Sequence, residues 1–465
     1  MTAPITVREY ASLTTEPVPT PTLDRAQISA DDFDWLCQQG CRFRVSHASP
    51  LAEMAEDAAG DPLPVIPLIH LRDRRTLQLD NYVGVIETPS GQLIEILPKT
   101  AKEGDPPEQG RQLLRRMLEC ALDLPNRETN EAALQGFDAP LSEWVMARFL
   151  DALQHLVKRG IRSDYRRIEG EERFLRGQLD VVRQMHQPPG RAHHFALRYD
   201  LFLPDRAENR LLKLALEQVA VATQSPESWR LAQELRHLLV EVPASRDVAG
   251  DFRQWRDDRL MAHYRDVRPW CELILHRIMP MALQGEWRGI SLLFPMETLF
   301  ERYVEVCLRR QLLPGASLHR QASSEWLCLH QGKPMFQLRP DLLLSHGKQR
   351  WVLDAKWKQL DGNDKKNKYG ISQADLYQLF AYGHKYLGGQ GDLVLIYPSW
   401  QRFKAPLAPF HFDHDGKLRL WVLPFELGEG MEHRLLLPVW SAGDEAPTLC
   451  LPLRPEPITG QSLQA

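Results

Sequence analysis

At 465 residues the chain is longer than one hydrophobic core sustains, so two or three domains are expected. Its 43% hydrophobic and 25% charged content is that of an ordinary globular protein, and a net charge of −4 excludes a polycation. No apolar run approaches the ~18 residues of a membrane helix, and "MTAPITVREYASLTTEP" lacks the basic-then-apolar build of a secretion signal, so a cytoplasmic protein without a membrane partner is expected.

Seven cysteines, Cys37, Cys41, Cys120, Cys271, Cys307, Cys328 and Cys450, are scattered without a C-x-x-C pair, which reads as buried thiols and no zinc site. No G-x-x-x-x-G-K-[ST] occurs, so the chain carries no P-loop engine. Charge is uneven. Glu286 to Lys404 holds 17 Lys and Arg against 11 Asp and Glu, a surplus of +6 that leaves −10 elsewhere. A basic module on an acidic body suits a phosphate-rich partner in one region only.

Residues 1 to about 30 are polar and proline-bearing, and read as a loose strand or linker. "ISADDFDWLCQQ" predicts a short capped helix. "TLQLDNYVGVIETPSGQLIEILPKT" alternates apolar and polar residues about a "TPSG" turn, the pattern of a hairpin, and "AKEGDPPEQG" follows as a charged linker. From Arg111 to about Gln284 helical spacing dominates, in "GRQLLRRMLECALDL", "SEWVMARFLDALQHLVKRG" and "ENRLLKLALEQVAVAT". Between these, "RRIEGEERFLRGQLDVVRQM" and "HHFALRYDLFLPDRAEN" read as shorter strands or loops. Asp205 and Asn209 stand at a helix start, where capping accounts for them.

The last region predicts an amphipathic helix ("METLFERYVEVCLRRQLL") and three β-runs ("SEWLCLH", "MFQLRPDLLLS", "QRWVLDAKWK"). A helix ("ISQADLYQLFAYGHKYL") and an apolar strand ("DLVLIYP") follow. The expected fold class is multidomain α+β. A small β-rich domain spans 1–105 and a mainly helical one 106–285, with an α/β layered domain over 286–465 that ends in a β extension.

Strand alternation puts Val352, Asp354, Lys356 and Lys358 on one face and Trp351, Leu353, Ala355 and Trp357 on the other. A hairpin about His346–Lys348 brings Asp341 opposite Asp354. Two carboxylates with the Ala355 carbonyl suit a hard divalent ion such as Mg²⁺, which acidifies a bound water and neutralises phosphate charge. Lys356 beside them can orient that water. Hydrolysis of a phosphodiester is the reaction this suits. The bland alternative is a salt bridge on a solvated sheet edge, though Trp351 and Trp357 argue for a covered strand.

Asp341 preceded by Pro340, twelve intervening residues, then Asp354-Ala355-Lys356 resembles the PD-(D/E)xK nuclease motif. That resemblance implies a restriction-endonuclease-like domain cutting DNA with Mg²⁺ or Mn²⁺. It also implies a helix glutamate at the metal, Glu301 in "LFERYV" ahead of Glu297. Gln378 and Tyr382, at i and i+4, resemble an accessory Q-x-x-x-Y; helix-surface packing reads them equally well. More narrowly, "YVGVIETPSGQLIEILPKT", "RFLRGQLDV", "ENRLLKLAL", "LFERYV" and "PDLLL…VLDAKWK" resemble the McrC subunits of McrBC-type modified-cytosine restriction systems. The first 60 or so residues and the tail beyond about Ser399 depart from that pattern. The resemblance implies an AAA+ GTPase partner of McrB type and double-stranded DNA carrying modified cytosine; the missing nucleotide site and the acidic charge outside the basic region assign the partner contact to residues 1 to about 285, with 1–105 as partner-binding domain. A stand-alone repair or recombination nuclease and an idle adaptor that stimulates an AAA+ ring remain open.

Overall fold

The structure, a computed structural model, describes residues 4–40, 68–99, 106–124, 140–191, 193–256, 259–275, 291–312, 314–412, 417–427, 437–439 and 448–450. Cys41, 101–105 of the expected linker and the expected boundary at 285 lie outside them.

The N-terminal stretch that reads as a loose strand or linker forms strands β1 (Ile5–Arg8), β2 (Ser12–Thr14) and β3 (Arg25–Gln27), followed by α1 (Ala30–Gly40). Then come β4 (Ile69–Leu71), β5 (Thr76–Leu79), β6 (Tyr82–Glu87) and β7 (Leu93–Leu97). The early strands escape sequence patterning because each is too short to show a period, and tertiary pairing supplies the order. β1 runs parallel to β7, and β6–β7 is the expected hairpin, turning at Gly91 with φ 79°. β2, β3, β4 and β5 make a second sheet in the order β3-β2-β5-β4.

Helices α2 (Pro107–Ala121) and α3 (Leu141–Arg159) follow. Then β8 (Asp164–Glu172), β9 (Gln178–Leu179), α4 (Val181–Met185) and β10 (Phe195–Leu203) form a ribbon in which β8 and β10 pair over nine residues. Helices α5 (Ala207–Ala222), α6 (Pro226–Leu238), α7 (Val248–Gln254) and α8 (Arg268–Leu273) complete this region. Apolar residues recurring every three to four positions on α3 (Val145, Phe149, Leu153, Leu156) are buried, so the helix exists to face a core. Asp205 and Asn209 are not caps: α5 is capped by Arg206 without a side-chain bond. Asp205 pairs with Arg166 and Arg210, while Asn209 donates to Arg162 O and Pro204 O and accepts from Tyr264.

Strand β11 (Ser291–Pro295) pairs with β6 and so closes the N-terminal sheet in the order β1-β7-β6-β11. It runs straight into α9 (Met296–Arg310). The sheet is tied to α2 by Arg111, whose guanidinium lies 2.8 Å from the fully buried Glu95, and α2 in turn packs on α9.

The last region contains β12 (Ala316–Arg320), β13 (Glu325–His330), β14 (Lys333–Leu338), β15 (Leu342–His346), β16 (Gln349–Ala355), α10 (Gln373–Tyr386), β17 (Gly391–Pro398), β18 (Phe410–His411) and β19 (Leu418–Phe425). Six strands form one mixed sheet in the order β12-β15-β16-β17-β19-β18. The expected three-strand grouping needs correction. "SEWLCLH" and "KPMFQL" pair only with each other, as a separate hairpin, and "MFQLRPDLLLS" breaks at Arg339–Pro340. The sheet's edge is instead "ASLHR". Beyond it, β20 (Leu437–Val439) and β21 (Thr448–Cys450) pair as a two-stranded unit. Trp351, Leu353, Ala355 and Trp357 lie in the core shared with α9, whereas Val352 lies in a second core with α10, as alternation requires.

Candidate active site

The site forms where β16 ends. Leu342 pairs with Leu353, and the register runs to His346 opposite Gln349 through a turn in which Gly347 takes φ 60°. One step back from Leu342 and one on from Leu353 sets Asp341 across from Asp354. Asp341 Oδ2 accepts the Ala355 N–H at 2.8 Å, and its carbonyl accepts the Gln321 N–H at 3.0 Å. Asp354 is 1% exposed, and neither of its oxygens accepts a hydrogen bond of ordinary geometry. Its one close partner among the described residues is an ion pair, Lys356 Nζ at 2.8 Å from Oδ2.

Helix α10 braces the approach to Asp341. The Tyr382 hydroxyl donates to Arg339 O at 2.8 Å and accepts from Gln378 at 2.6 Å. The Tyr386 hydroxyl lies between Leu338 O and Ala322 O at 2.7 and 2.5 Å. Gln378 and Tyr382 therefore act on the Arg339–Pro340 turn, a role helix-surface packing alone does not give. Glu301, from α9, is half-buried beside the cluster; Glu297, one turn earlier, is exposed.

The electrostatics report crowding. Burial, then repulsion from Asp354 and Glu301, pushes the Asp341 carboxyl well above the usual range. Burial raises Glu301 to about 7 against the pull of Lys356, with Asp354 and Glu297 adding to the rise. Burial alone would lower the Lys356 ammonium, but Asp354, Asp341 and Glu301 together hold it above its ordinary value. Asp375, on the first turn of α10, is raised by burial and feels Lys356 and Asp354, with Tyr397 beside it. Sequence reasoning missed Asp375, although it lies three residues before Gln378, on the same helix face.

The donor set decides whether a metal fits. Asp341, Asp354 and Glu301 outnumber the cations that act on them, Lys356 at 2.8 Å from Asp354 and Arg320 toward Glu301 and Asp341, a deficit of positive charge that a divalent cation relieves. Among the described residues no three Asp, Glu, His or Cys side chains stand close enough to enclose an ion. The fit is therefore to a cation that takes two carboxylates and a carbonyl and keeps several waters, as Mg²⁺ does.

The fold and this cluster define a chain whose mixed α/β sheet presents buried carboxylates and a lysine at one strand end. A family model described as "McrBC 5-methylcytosine restriction system component" matches residues 77–398, and the chain belongs to that family. Two solved structures share the fold. A refined half-complex from a tetradecameric assembly of Thermococcus gammatolerans McrB AAA+ hexamers with bound McrC aligns at TM-score 0.67 and 20% identity over 93% of this chain and 97% of that one. The cryo-EM structure of the Thermococcus gammatolerans McrBC complex aligns at TM-score 0.50 and 20% identity over 66% of this chain and 88% of that one. No curated protein matches. The chain thus joins McrBC-family sequence to a fold shared with these assemblies, and no helix among the described residues is long and apolar enough to cross a membrane.

Proposed function

We propose that this chain is the nuclease subunit of a modification-dependent restriction system. In this reading it hydrolyses DNA phosphodiesters with Mg²⁺ or Mn²⁺ through a PD-(D/E)xK site, in complex with an AAA+ GTPase of McrB type that engages DNA carrying modified cytosine. The observation that carries the reading is Asp354, 1% exposed at the end of β16, set beside Asp341 and with the Lys356 ammonium 2.8 Å from it. Burying such a carboxylate is costly unless it has a task. Family membership and the McrB hexamers around the structural neighbour support the partner.

In this reading Asp341, Asp354 and the Ala355 carbonyl would hold the cation directly, with Glu301 meeting it through a retained water, and the cation when bound supplies an acidified water and a neutralised phosphate. Lys356 stays protonated against the carboxylates, so it donates: it orients the water or meets charge developing on phosphate oxygen. Glu301, raised to about 7, can carry a proton at neutral pH. Tyr382 and Gln378 hold the turn before Asp341 in place. An idle adaptor would have no use for this set.

The test reconstitutes the chain with its AAA+ GTPase, GTP, Mg²⁺ and methylated DNA. Asp354→Ala should abolish cutting and weaken Mg²⁺ binding by calorimetry, while Lys356→Ala loses cutting but keeps most of the binding. Wild-type cutting by Asp354→Ala sinks the assignment.

A further inference from the structure

Trp357 follows Lys356 where β16 has left the sheet. The ladder's last bond here is Lys356 N–H to Ile396 O, at 2.9 Å. Beyond it two side-chain tethers reach back to the N-terminal sheet. The Trp357 indole N–H donates to Glu9 Oε1 at 2.7 Å, a buried bond spanning 348 positions. Gln359 Nε2 donates to Lys99 O at 2.5 Å.

Glu9 is itself rigidly held. Its backbone N–H donates to Leu97 O at 2.9 Å, continuing the pairing of β1 with β7, and its Oε1 also accepts the Lys99 N–H at 2.6 Å. The residue has no exposed surface, and its Oε2 has no hydrogen-bond partner. A cleft of about 470 Å³ opens above it, lined by Glu297, Trp357, Lys358 and Trp400 among others. Across the indole, the Phe300 ring lies 5.2 Å from that of Trp357, and Phe300 immediately precedes Glu301. One side chain thus touches the lysine strand, the glutamate helix and the N-terminal sheet.

We propose that Glu9 is a positioning residue for the nuclease site: by gripping the Trp357 indole it sets Lys356 against Asp354 and fixes the Phe300–Glu301 turn of α9. The N-terminal sheet is then part of the catalytic apparatus. This rests on the nuclease reading of Asp341, Asp354 and Lys356. A misplacement of about 1 Å at reacting groups can cost on the order of a hundredfold in rate, so a buried tether at this distance from the chemistry has leverage.

The experiment uses the complete assembly with the AAA+ GTPase, GTP, Mg²⁺ and DNA, and reads kcat and KM for cleavage, GTP turnover and thermal melting. Glu9→Ala should lower kcat about tenfold or more with KM and GTP turnover unchanged. Glu9→Gln, whose amide oxygen still accepts both N–H groups, should restore most of it. Trp357→Phe keeps the ring against Phe300 but loses the donor; it should match Glu9→Ala, and the double variant should be no worse than either, the sign of one shared tether. If Glu9→Ala does not fold, Trp357→Phe carries the test. Full kcat in Trp357→Phe, or in a folded Glu9→Ala, overturns the proposal while inactive Asp354→Ala leaves the nuclease reading standing. A parallel fall in GTP turnover also overturns it, by assigning Glu9 to the partner contact. Active Asp354→Ala overturns the nuclease reading itself.

Discussion

Asp354 and Lys356 make a buried pair whose two halves should fail differently. Removing Lys356 leaves an uncompensated carboxylate at 1% exposure, so Lys356→Ala should lose cleavage and also about 3 kcal/mol of stability. Asp354→Asn keeps the volume and relieves repulsion with Asp341 and Glu301, so it should lose cleavage with an unchanged or higher melting temperature. Melting both variants beside wild type checks this; equal destabilisation would mean that the pair is merely structural. Glu9 gives a pH test. Its carboxyl is raised to about 7 by burial and by Glu297, against the Lys99 N–H, the Trp357 indole and the Lys99 ammonium. The folded state therefore holds a proton that the unfolded state releases near 4.5. Stability contributed by that proton is present at low pH and lost as pH rises through 7, on the order of 3 kcal/mol. Glu9→Gln should remove this loss, so its stability advantage over wild type grows from pH 5 to pH 8 and then levels; a difference flat with pH refutes it. Asp341, Asp354 and Lys356 were legible in the sequence because alternation and a two-residue turn fix their register. Glu9 was not, because its partner lies 348 positions away and neither stretch hints at the other.

Among elements, α9 places two glutamates one turn apart with unequal access to the cluster. Both feel Lys356 and Asp354 and both are raised by burial, but Glu301 is half-buried against the cluster while Glu297 is the more exposed. Glu301→Gln should cut the cleavage rate roughly tenfold or more, the scale of one lost charged ligand or proton carrier, and Glu297→Gln by only a few-fold. Equal, near-wild-type rates would remove the helix from the site. The helix itself was legible from its apolar spacing, and so was α10. The strands around Asp341 were legible only in part. "MFQLRPDLLLS" reads as one β-run, yet Pro340 cannot donate to a ladder, and the chain breaks there into a hairpin strand and a sheet strand. The projecting hairpin keeps Leu327, Leu329 and Phe336 exposed, so its composition mimics that of a core strand. Local pattern reports that a segment is extended, not which strand it meets.

At the scale of the molecule, β11 hooks the N-terminal sheet directly to the helix that bears Glu301. The hook depends on Gly84, at φ 131°, where a Cβ would stand 1.8 Å from Leu292 O. Gly84→Ala should therefore destabilise the chain by more than about 1 kcal/mol and depress cleavage, though Gly84 touches no site residue. It also bears on mapping the motor contact, proposed for 1–285. A fragment ending there would lack Ser291–Pro295, the strand paired with β6, and would expose an unpaired edge. The contact is better read on the full chain, where the acidic body should crosslink to the AAA+ GTPase and the basic 286–404 region, at +6, should crosslink to DNA. With the partner and GTP, methylated DNA should be cut; with Mg²⁺ and the chain alone, cutting should stay at background. Specific cleavage without any partner would replace the motor-dependent reading by a self-sufficient nuclease. Partner crosslinks confined to 286–465 would move the docking surface onto the catalytic head.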